Sequence, residues 1–123
     1  MRHPEQKVWD YLRRKMPPEF VPQRHEDKYS SGIPDLSFIW RGVSGWIELK
    51  NATPSFNLRP AQLAWMTKRM RAGAVCILLA RYDNQWAGCR IIESMSLENF
   101  STFKSLGDPV TDPVVLLERL VFA

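Results

Sequence analysis

Two acidic residues and a lysine stand in neighbouring apolar segments of this 123-residue chain. Asp35 follows Pro34 at the head of the first segment, and Glu48 lies in the second segment, two residues before Lys50. Mg²⁺ prefers oxygen ligands and keeps several waters, so one or two carboxylates are enough to hold it. A metal held in this way polarises a phosphate and lowers the pKa of a bound water. Brought together, the three side chains would suit hydrolysis of a phosphodiester.

Each residue has an expected role in that chemistry. Asp35 and Glu48 would bind the metal, with the backbone carbonyl of Leu49 as a further oxygen ligand. Residues two apart in a strand point to the same side, so Lys50 shares a face with Glu48. Its ammonium would position the attacking hydroxide or stabilise charge on the transition-state phosphate. For the Glu-Leu-Lys spacing alone, an exposed ion pair on a half-buried strand is the more common explanation.

The two segments that carry these residues are predicted to form a β-hairpin. Apolar and polar residues alternate over 34–40 and again over 46–50, which indicates strands with two different faces. The intervening residues 41–45 contain two glycines and predict a turn. Because the strands are too close for a helical crossover, they should pair antiparallel.

The length of the turn decides whether the charged groups meet. A four-residue loop at 41–44 would set Asp35 opposite Lys50, on the face that also carries Glu48. An odd number of loop residues would send Asp35 to the other face unless a bulge restored the alternation. The chemistry therefore requires an even loop or a bulge.

The remaining segments predict an α/β fold. The expected elements are a helix over 4–16, an edge strand over 20–25, a helix from Pro60 to about Arg71, a buried strand over 74–80, a strand over 86–93, a short helix from Leu97 to Lys104 capped by Ser96, and a last helix from Pro113 to about Val121 capped by Asp112. The second strand of the hairpin, the helix at Pro60 and strand 74–80 form a βαβ crossover, which implies a parallel pair.

Length and composition favour one domain over residues 1–123. The net charge of +4 suits a polyanionic partner without establishing one. No apolar run reaches the length of a membrane span, and the N-terminus lacks an apolar signal core, so an intracellular protein is expected. No small-molecule cofactor is indicated.

The cysteines and histidines do not form a metal-binding pattern. Cys76 and Cys89 lack the spacing of a zinc site, and His3 and His25 are far apart. Cys76 lies in an apolar run and is expected to be a buried thiol. A disulfide between the two cysteines is possible but disfavoured in a reducing cytosol.

Taken together, the motifs resemble the PD-(D/E)xK nuclease superfamily. Pro34-Asp35 matches the first half of its signature, and Glu48-Leu49-Lys50 matches the second. The similarity extends to the VRR-NUC branch, through the runs Gly32-Ile33-Pro34-Asp35-Leu36 and Leu58-Arg59-Pro60-Ala61-Gln62-Leu63-Ala64-Trp65 and through Gly73 before an apolar strand. This match covers roughly residues 32–80.

The resemblance implies a restriction-endonuclease-like αβββαβ core, with a mixed central sheet flanked by helices and an extra C-terminal helix. Asp35 and Glu48 would bind Mg²⁺, for which Mn²⁺ would substitute, and Lys50 would assist catalysis. Gln62 would lie beside the site, and Glu5 would be an outer acidic residue near the metal. Stand-alone members of the branch, many of them viral, are similar to Holliday-junction resolvases that act as homodimers. The resemblance therefore implies that the protein binds branched DNA as a homodimer. If the protein is viral, it would act inside a host cell.

Several residues have a simpler explanation as well. Glu5 suits the positive end of a helix dipole, and Gln62 in a first helical turn would ordinarily face solvent. Arg59, Lys68 and Arg69 are candidates for phosphate contacts, but each is also compatible with a solvated charge. The tryptophans at 9, 46 and 65 are expected in the core or an interface rather than as stacking platforms for bases.

Three functions follow from this pattern. The first is an Mg²⁺-dependent endonuclease acting on branched DNA. The second is a restriction-like or nicking nuclease, although specific duplex recognition needs more surface than a small chain leaves. The third is a non-catalytic nucleic-acid-binding protein whose acidic site is degenerate.

Overall fold

The computed structural model describes residues 4–25, 32–51, 59–92 and 110–122, without the side chains of Pro4, Glu5 and Tyr82. In this part of the chain, five strands and three helices follow one another. They are α1 (Pro4–Lys15), β1 (Phe20–Arg24), β2 (Leu36–Trp40), β3 (Val43–Asn51), α2 (Pro60–Arg71), β4 (Val75–Tyr82), β5 (Gln85–Arg90) and α3 (Pro113–Phe122). The predicted helix from Leu97 to Lys104, with its cap Ser96, lies outside the described residues. The order α1 to β4 confirms the expected αβββαβ core, and α3 is the extra C-terminal helix.

The strands form one mixed sheet in the order β1-β2-β3-β4-β5. Neighbouring strands are antiparallel except β3 and β4, which run parallel and are connected through α2. The crossover expected from the sequence is therefore present. β1 lies at an edge, where Pro22 removes a backbone donor without weakening a central strand. No helix in the described ranges is long and apolar enough to cross a membrane.

The turn between β2 and β3 is shorter than the sequence analysis expected. Trp40 pairs with Val43, so the loop consists of Arg41 and Gly42 alone rather than four residues. Both have positive φ, 49° and 80°, as in the two-residue turns whose twist matches that of paired strands. Val43, assigned to the turn from sequence, is instead the first residue of β3, where a β-branched side chain is favourable.

The shorter loop changes the predicted partner of Asp35. The observed register pairs Leu36 with Ile47, and its continuation sets Asp35 opposite Glu48 rather than opposite Lys50. Two is still an even number of loop residues, so the acids remain on one face. The chemistry requires both acids on one face of the hairpin. This requirement is met, but in a register different from the predicted one.

Arg41 is an unusual residue for this turn, because a side chain at positive φ is strained. Its guanidinium lies 5.3 Å from the ring centre of Trp40 and 5.1 Å from that of Phe122. It also pairs with Glu19 at 3.5 Å and with Glu118 at 3.4 Å. A single exposed ion pair contributes little to stability. Together with the two ring contacts, these pairs hold the turn against α3.

The side chains of each strand point alternately to the two faces of the sheet, and each face therefore has its own hydrophobic core. One core joins the sheet to α1 and α3 and is formed by Val8, Leu12, Phe20, Leu36, Phe38, Trp40, Ile47, Leu49, Val75, Ile77, Leu79, Trp86, Leu116, Leu117 and Val121. The other lies under α2 and is formed by Met66, Cys76, Leu78, Ala80, Ala87 and Ile91. α3 begins as predicted, since the N–H of Val114 donates to Asp112 Oδ1 at 2.9 Å.

Candidate active site

Asp35 and Glu48 lie next to each other where the hairpin meets the α2 side of the sheet. Asp35 directly precedes β2, and Glu48 lies within β3. The N–H of Leu49 donates to Asp35 Oδ2 at 2.8 Å, and the N–H of Asp35 donates to Glu48 Oε1 at 3.2 Å. These reciprocal bonds hold both carboxylates against the hairpin backbone. Both residues are buried, at 9% and 4% exposure.

Lys50 lies on the same face as Glu48, as the spacing predicted. Its Nζ is 3.3 Å from Glu48 Oε2, and the two side chains are 17% and 5% exposed. The exposed ion pair considered from the sequence is therefore not what the structure contains. Removing these charges from water costs several kcal/mol per ion, as an order of magnitude, so the arrangement is poorly explained as a device for stability.

Gln62 is buried against Glu48 rather than facing solvent, at 3% exposure. Its Nε2 donates to Glu48 Oε2, while its Oε1 accepts the N–H of Arg59 at 3.1 Å. The second bond satisfies a backbone donor at the start of α2, as in a capping box. One side chain therefore links the first turn of α2 to an acid on β3.

Gly32 explains how the segment before Asp35 approaches α2. Its φ is +95°, and a Cβ there would lie 2.4 Å from the carbonyl oxygen of Ala61. Only glycine combines that conformation with so close a backbone approach. The glycine near the start of the first motif and the helix that carries Gln62 are thus parts of one packed arrangement.

The donor set fits a hard divalent cation. Asp35, Glu48 and Lys50 together carry two negative charges and one positive, a net charge of −1 in a largely buried site. The C=O of Leu49 points to the same side of β3 as its N–H, which meets Asp35. Among the described side chains, no three His, Cys, Asp or Glu residues are grouped to hold a metal. Mg²⁺ tolerates such a small set because it retains waters.

The structure describes the three basic residues that were predicted to contact phosphates. Arg59 and Lys68 are exposed. Arg69 lies over the ring of Trp65, with its guanidinium 3.7 Å from the ring centre. Lys68 and Arg69 occupy the last turn of α2, about 9 Å along the helix from Gln62. The side chain of Glu5 lies outside the described residues.

Two residues at the end of β1, beside the start of β2, were not predicted from the sequence. His25 contacts Asp35, whereas the side chain of Arg24 shares the opposite face of the sheet with its partner Leu36. The N–H of His25 donates to the carbonyl of Asp35 at 2.8 Å, and its Nε2 lies 2.8 Å from Ser37 Oγ. Arg24 has buried Nε and Nη1 atoms with no hydrogen-bond partner in the described part of the chain. No local spacing signals either residue, since the pairing of β1 with β2 brings them there.

Both cysteines are free thiols. Burial raises the pKa of Cys76 to about 11, against a smaller opposing effect of Arg69, and burial raises the pKa of Cys89 to about 12. Both thiols are therefore protonated at neutral pH, and neither has the lowered pKa of a nucleophilic cysteine.

Comparison with known proteins gives a match in structure and none in sequence. No family model matches the chain, and no curated protein matches it. Among solved structures, the chain is similar to Hjc of Archaeoglobus fulgidus, a Holliday junction resolvase from an archaeal hyperthermophile. The TM-score is 0.63 over 91% of this chain and 95% of that one, at 13% sequence identity. The two proteins share a fold.

Proposed function

We propose that this protein is a metal-dependent endonuclease that hydrolyses phosphodiester bonds in branched DNA. The observation that carries the proposal is the buried pair of Asp35 and Glu48, held by the backbone N–H groups of Leu49 and Asp35, with Lys50 3.3 Å from Glu48. Two buried acids beside one lysine are costly for stability, which favours a role in chemistry. The fold shared with a Holliday junction resolvase supports the same reading.

Asp35, Glu48 and the carbonyl of Leu49 would hold Mg²⁺, with Mn²⁺ as a substitute. The bound ion would supply charge neutralisation at the phosphate and a water of lowered pKa. The backbone bonds from Leu49 and Asp35 fix one oxygen of each acid, so neither carboxylate has to reorganise when the substrate arrives. Glu5, near the start of α1, would serve as an outer acid near the metal.

Lys50 would act on the attacking group or on the transition state. Its ammonium lies within the buried site, where an electrostatic interaction is stronger than in water. It would hold the attacking hydroxide in place or stabilise negative charge that develops on the phosphate oxygens. Gln62 would keep Glu48 in position through its amide.

Arg24 is proposed as a further phosphate contact. A buried guanidinium N–H without an acceptor is costly, and a phosphate oxygen would satisfy it. Arg24 precedes His25, whose N–H bonds to the carbonyl of Asp35, so its backbone lies at the sheet end that carries the acids. Its side chain shares the opposite face with Leu36, so it would meet a phosphate at the end of the sheet rather than on the face of the acids.

We also propose that two copies act together on a four-way junction. Such a junction has two equivalent strands to cut, and a two-fold dimer would present one site to each. Sedimentation of the protein with and without junction DNA tests this. A monomer on the junction would contradict it while leaving the chemistry of the site intact.

Cleavage of matched DNA substrates tests the function. The protein is incubated with Mg²⁺ and a four-way junction, a flap, a single strand and a linear duplex of related sequence. We expect the junction to be cut fastest. Asp35→Asn and Lys50→Ala should lower the cleavage rate at least about 100-fold, because each removes a group that stabilises the charge developing in the transition state. Both should leave the affinity for the junction nearly unchanged, because the rest of the binding surface is intact. Lys7→Ala, which removes an exposed lysine on α1, is the matched control.

The alternatives predict different results. Equal cutting by the protein and by Lys50→Ala would overturn the assignment of the site. Binding without cutting under every metal tried would indicate a DNA-binding protein with a degenerate site. Preferential cutting of the linear duplex would indicate a restriction-like or nicking nuclease.

A further inference from the structure

A continuous band of aromatic side chains crosses the α2 side of the sheet. The ring of His25 lies 5.1 Å from that of Trp46, and the ring of Trp46 lies 4.7 Å from that of Trp65 in an edge-to-face arrangement. Arg69 stacks on the far side, 3.7 Å from the centre of Trp65. We call these four residues the aromatic band. All four are half-buried, so each keeps surface open to solvent.

The aromatic band adjoins the candidate active site. Trp46 is two residues before Glu48 on the same face of β3, a separation of about 7 Å. His25 bonds through its N–H to the carbonyl of Asp35. Trp65 follows Gln62 by one helical turn. β3 and α2, which carry Glu48 and Gln62, therefore also carry Trp46 and Trp65 of the band, and His25 connects the band to Asp35.

Beyond the aromatic band, the sheet carries two exposed apolar side chains. α2 packs on β3 and β4, and the second core lies under it. On the same face, β1 and β2 present Val21 and Ile39, which pair across the strands and are 60% and 54% exposed. The band thus lies between the catalytic groups and these two exposed side chains. A chain leaving the site in this direction must cross it.

The charge beside the aromatic band favours a polyanion. α2 has no acidic residue in its first turn and has Lys68, Arg69 and Arg71 in its last turn. Rings with cations beside them are the combination with which proteins hold single strands, because bases stack on the rings while the cations meet the phosphates.

We propose that the aromatic band is a binding site for unpaired nucleotides next to the bond that is cut. The proposal rests on the nuclease function and specifies branched DNA whose bases next to the cleavage point open at the branch. Trp46 and Trp65 provide the stacking surfaces, and Arg69 holds Trp65 in place and faces the backbone. A linear duplex keeps its bases stacked on one another without a branch and so gains nothing from the aromatic band.

Binding without divalent metal separates this site from the chemistry. The probes are a blunt labelled duplex and the same duplex with a tail of about six thymidines. Trp65→Leu keeps an apolar side chain against the core under α2 but removes the ring. We expect it to weaken binding of the tailed probe about tenfold and to leave the blunt duplex within about twofold. Trp65→Phe, which keeps a ring, should bind both probes nearly as the native protein does.

A matched control and a measurement on the native protein complete the test. Trp9→Leu removes a partly buried tryptophan from α1, on the opposite face of the sheet, and should change neither affinity. In the native protein, saturating oligothymidine should quench tryptophan fluorescence, and Trp9→Leu should retain that quenching. This second readout stands even if Trp65→Leu fails to fold.

The outcomes distinguish the two proposals. If the native protein cuts junctions but Trp65→Leu binds the tailed probe like the native protein, the inference is overturned and the nuclease function stands. If Trp65→Leu changes self-association and not DNA binding, the aromatic band is an interface between copies and the inference again fails. If the native protein neither binds nor cuts any DNA, both proposals are wrong.

Discussion

At the scale of single residues, the candidate site is a set of side chains held by backbone bonds. Asp35 and Glu48 each accept an N–H from the other's strand, so the hairpin itself orients both acids. Gln62 adds a bond from a third element to Glu48. A metal ligand is usually tuned by such outer contacts, and their loss commonly costs about 10- to 100-fold in affinity or activity.

Replacing Gln62 tests that outer contact. We expect Gln62→Ala to lower the cleavage rate about 10- to 100-fold, because Glu48 loses an amide donor and Arg59 loses the acceptor of its N–H. Steady-state cleavage of a junction measures this. Gln85→Ala, at an exposed glutamine in β5, is the matched control and should be neutral. Equal activity of both variants would mean that Gln62 has only a structural role.

At the scale of elements, the site depends on how α2 is placed against the segment before β2. Gly32 lies against the carbonyl of Ala61 at positive φ, and Gln62 is the next residue of that helical turn. The position of α2 and the orientation of Glu48 are therefore coupled through neighbouring residues. A substitution at Gly32 should therefore alter the site even though both acidic residues are retained.

Two glycine substitutions separate conformation from close packing. Gly32 and Gly73 have similar φ, +95° and +107°, but only Gly32 has backbone where a Cβ would lie. We expect Gly73→Ala to cost about 1–2 kcal/mol of unfolding free energy, from strained φ alone. Gly32→Ala should cost more and should also lower cleavage. Urea unfolding and junction cleavage measure the two effects. Similar losses in both variants would contradict the proposed contact with Ala61.

At the scale of the whole molecule, the sheet separates two cores, and both cysteines lie on the side of α2. Their raised pKa values mean that the folded protein favours the neutral thiols. Between the ordinary pKa of 9.0 and about 11, the unfolded chain loses protons that the folded chain keeps. The contribution of the thiols to stability is therefore fully present below pH 9 and declines as pH rises through about 11.

The dependence of stability on alkaline pH tests the burial of the thiols. We expect the unfolding free energy to fall more steeply between about pH 9 and 11 in the native protein than in a Cys76→Ala, Cys89→Ala double variant. Urea unfolding at several pH values measures the difference, and the double variant accounts for lysines and tyrosines that titrate in the same range. Parallel curves would show that the thiols keep an ordinary pKa when folded.

Much of the fold was predictable because its signals are local. The alternation in β2 and β3, Pro60 at the start of α2 and Asp112 before α3 each depend on a few adjacent residues. The αβββαβ order and the mixed sheet followed from those elements and their spacing. The four-residue turn was wrong because a turn containing Arg41 at positive φ is stabilised by Glu19 and Glu118, which are distant in sequence.

The sequence by itself determined which residues could do the chemistry and which strand face would carry them, because side chains alternate along a strand whatever surrounds it. Only the tertiary structure decided that Asp35 stands opposite Glu48 and that Gln62 is buried. It also decided that His25, Trp46 and Trp65 form one band. The first relation depends on the register of β2 with β3, which the contacts of Arg41 with Glu19 and Glu118 help to fix. The others depend on the pairing of β1 with β2 and on the packing of α2, which are contacts between segments far apart in the chain.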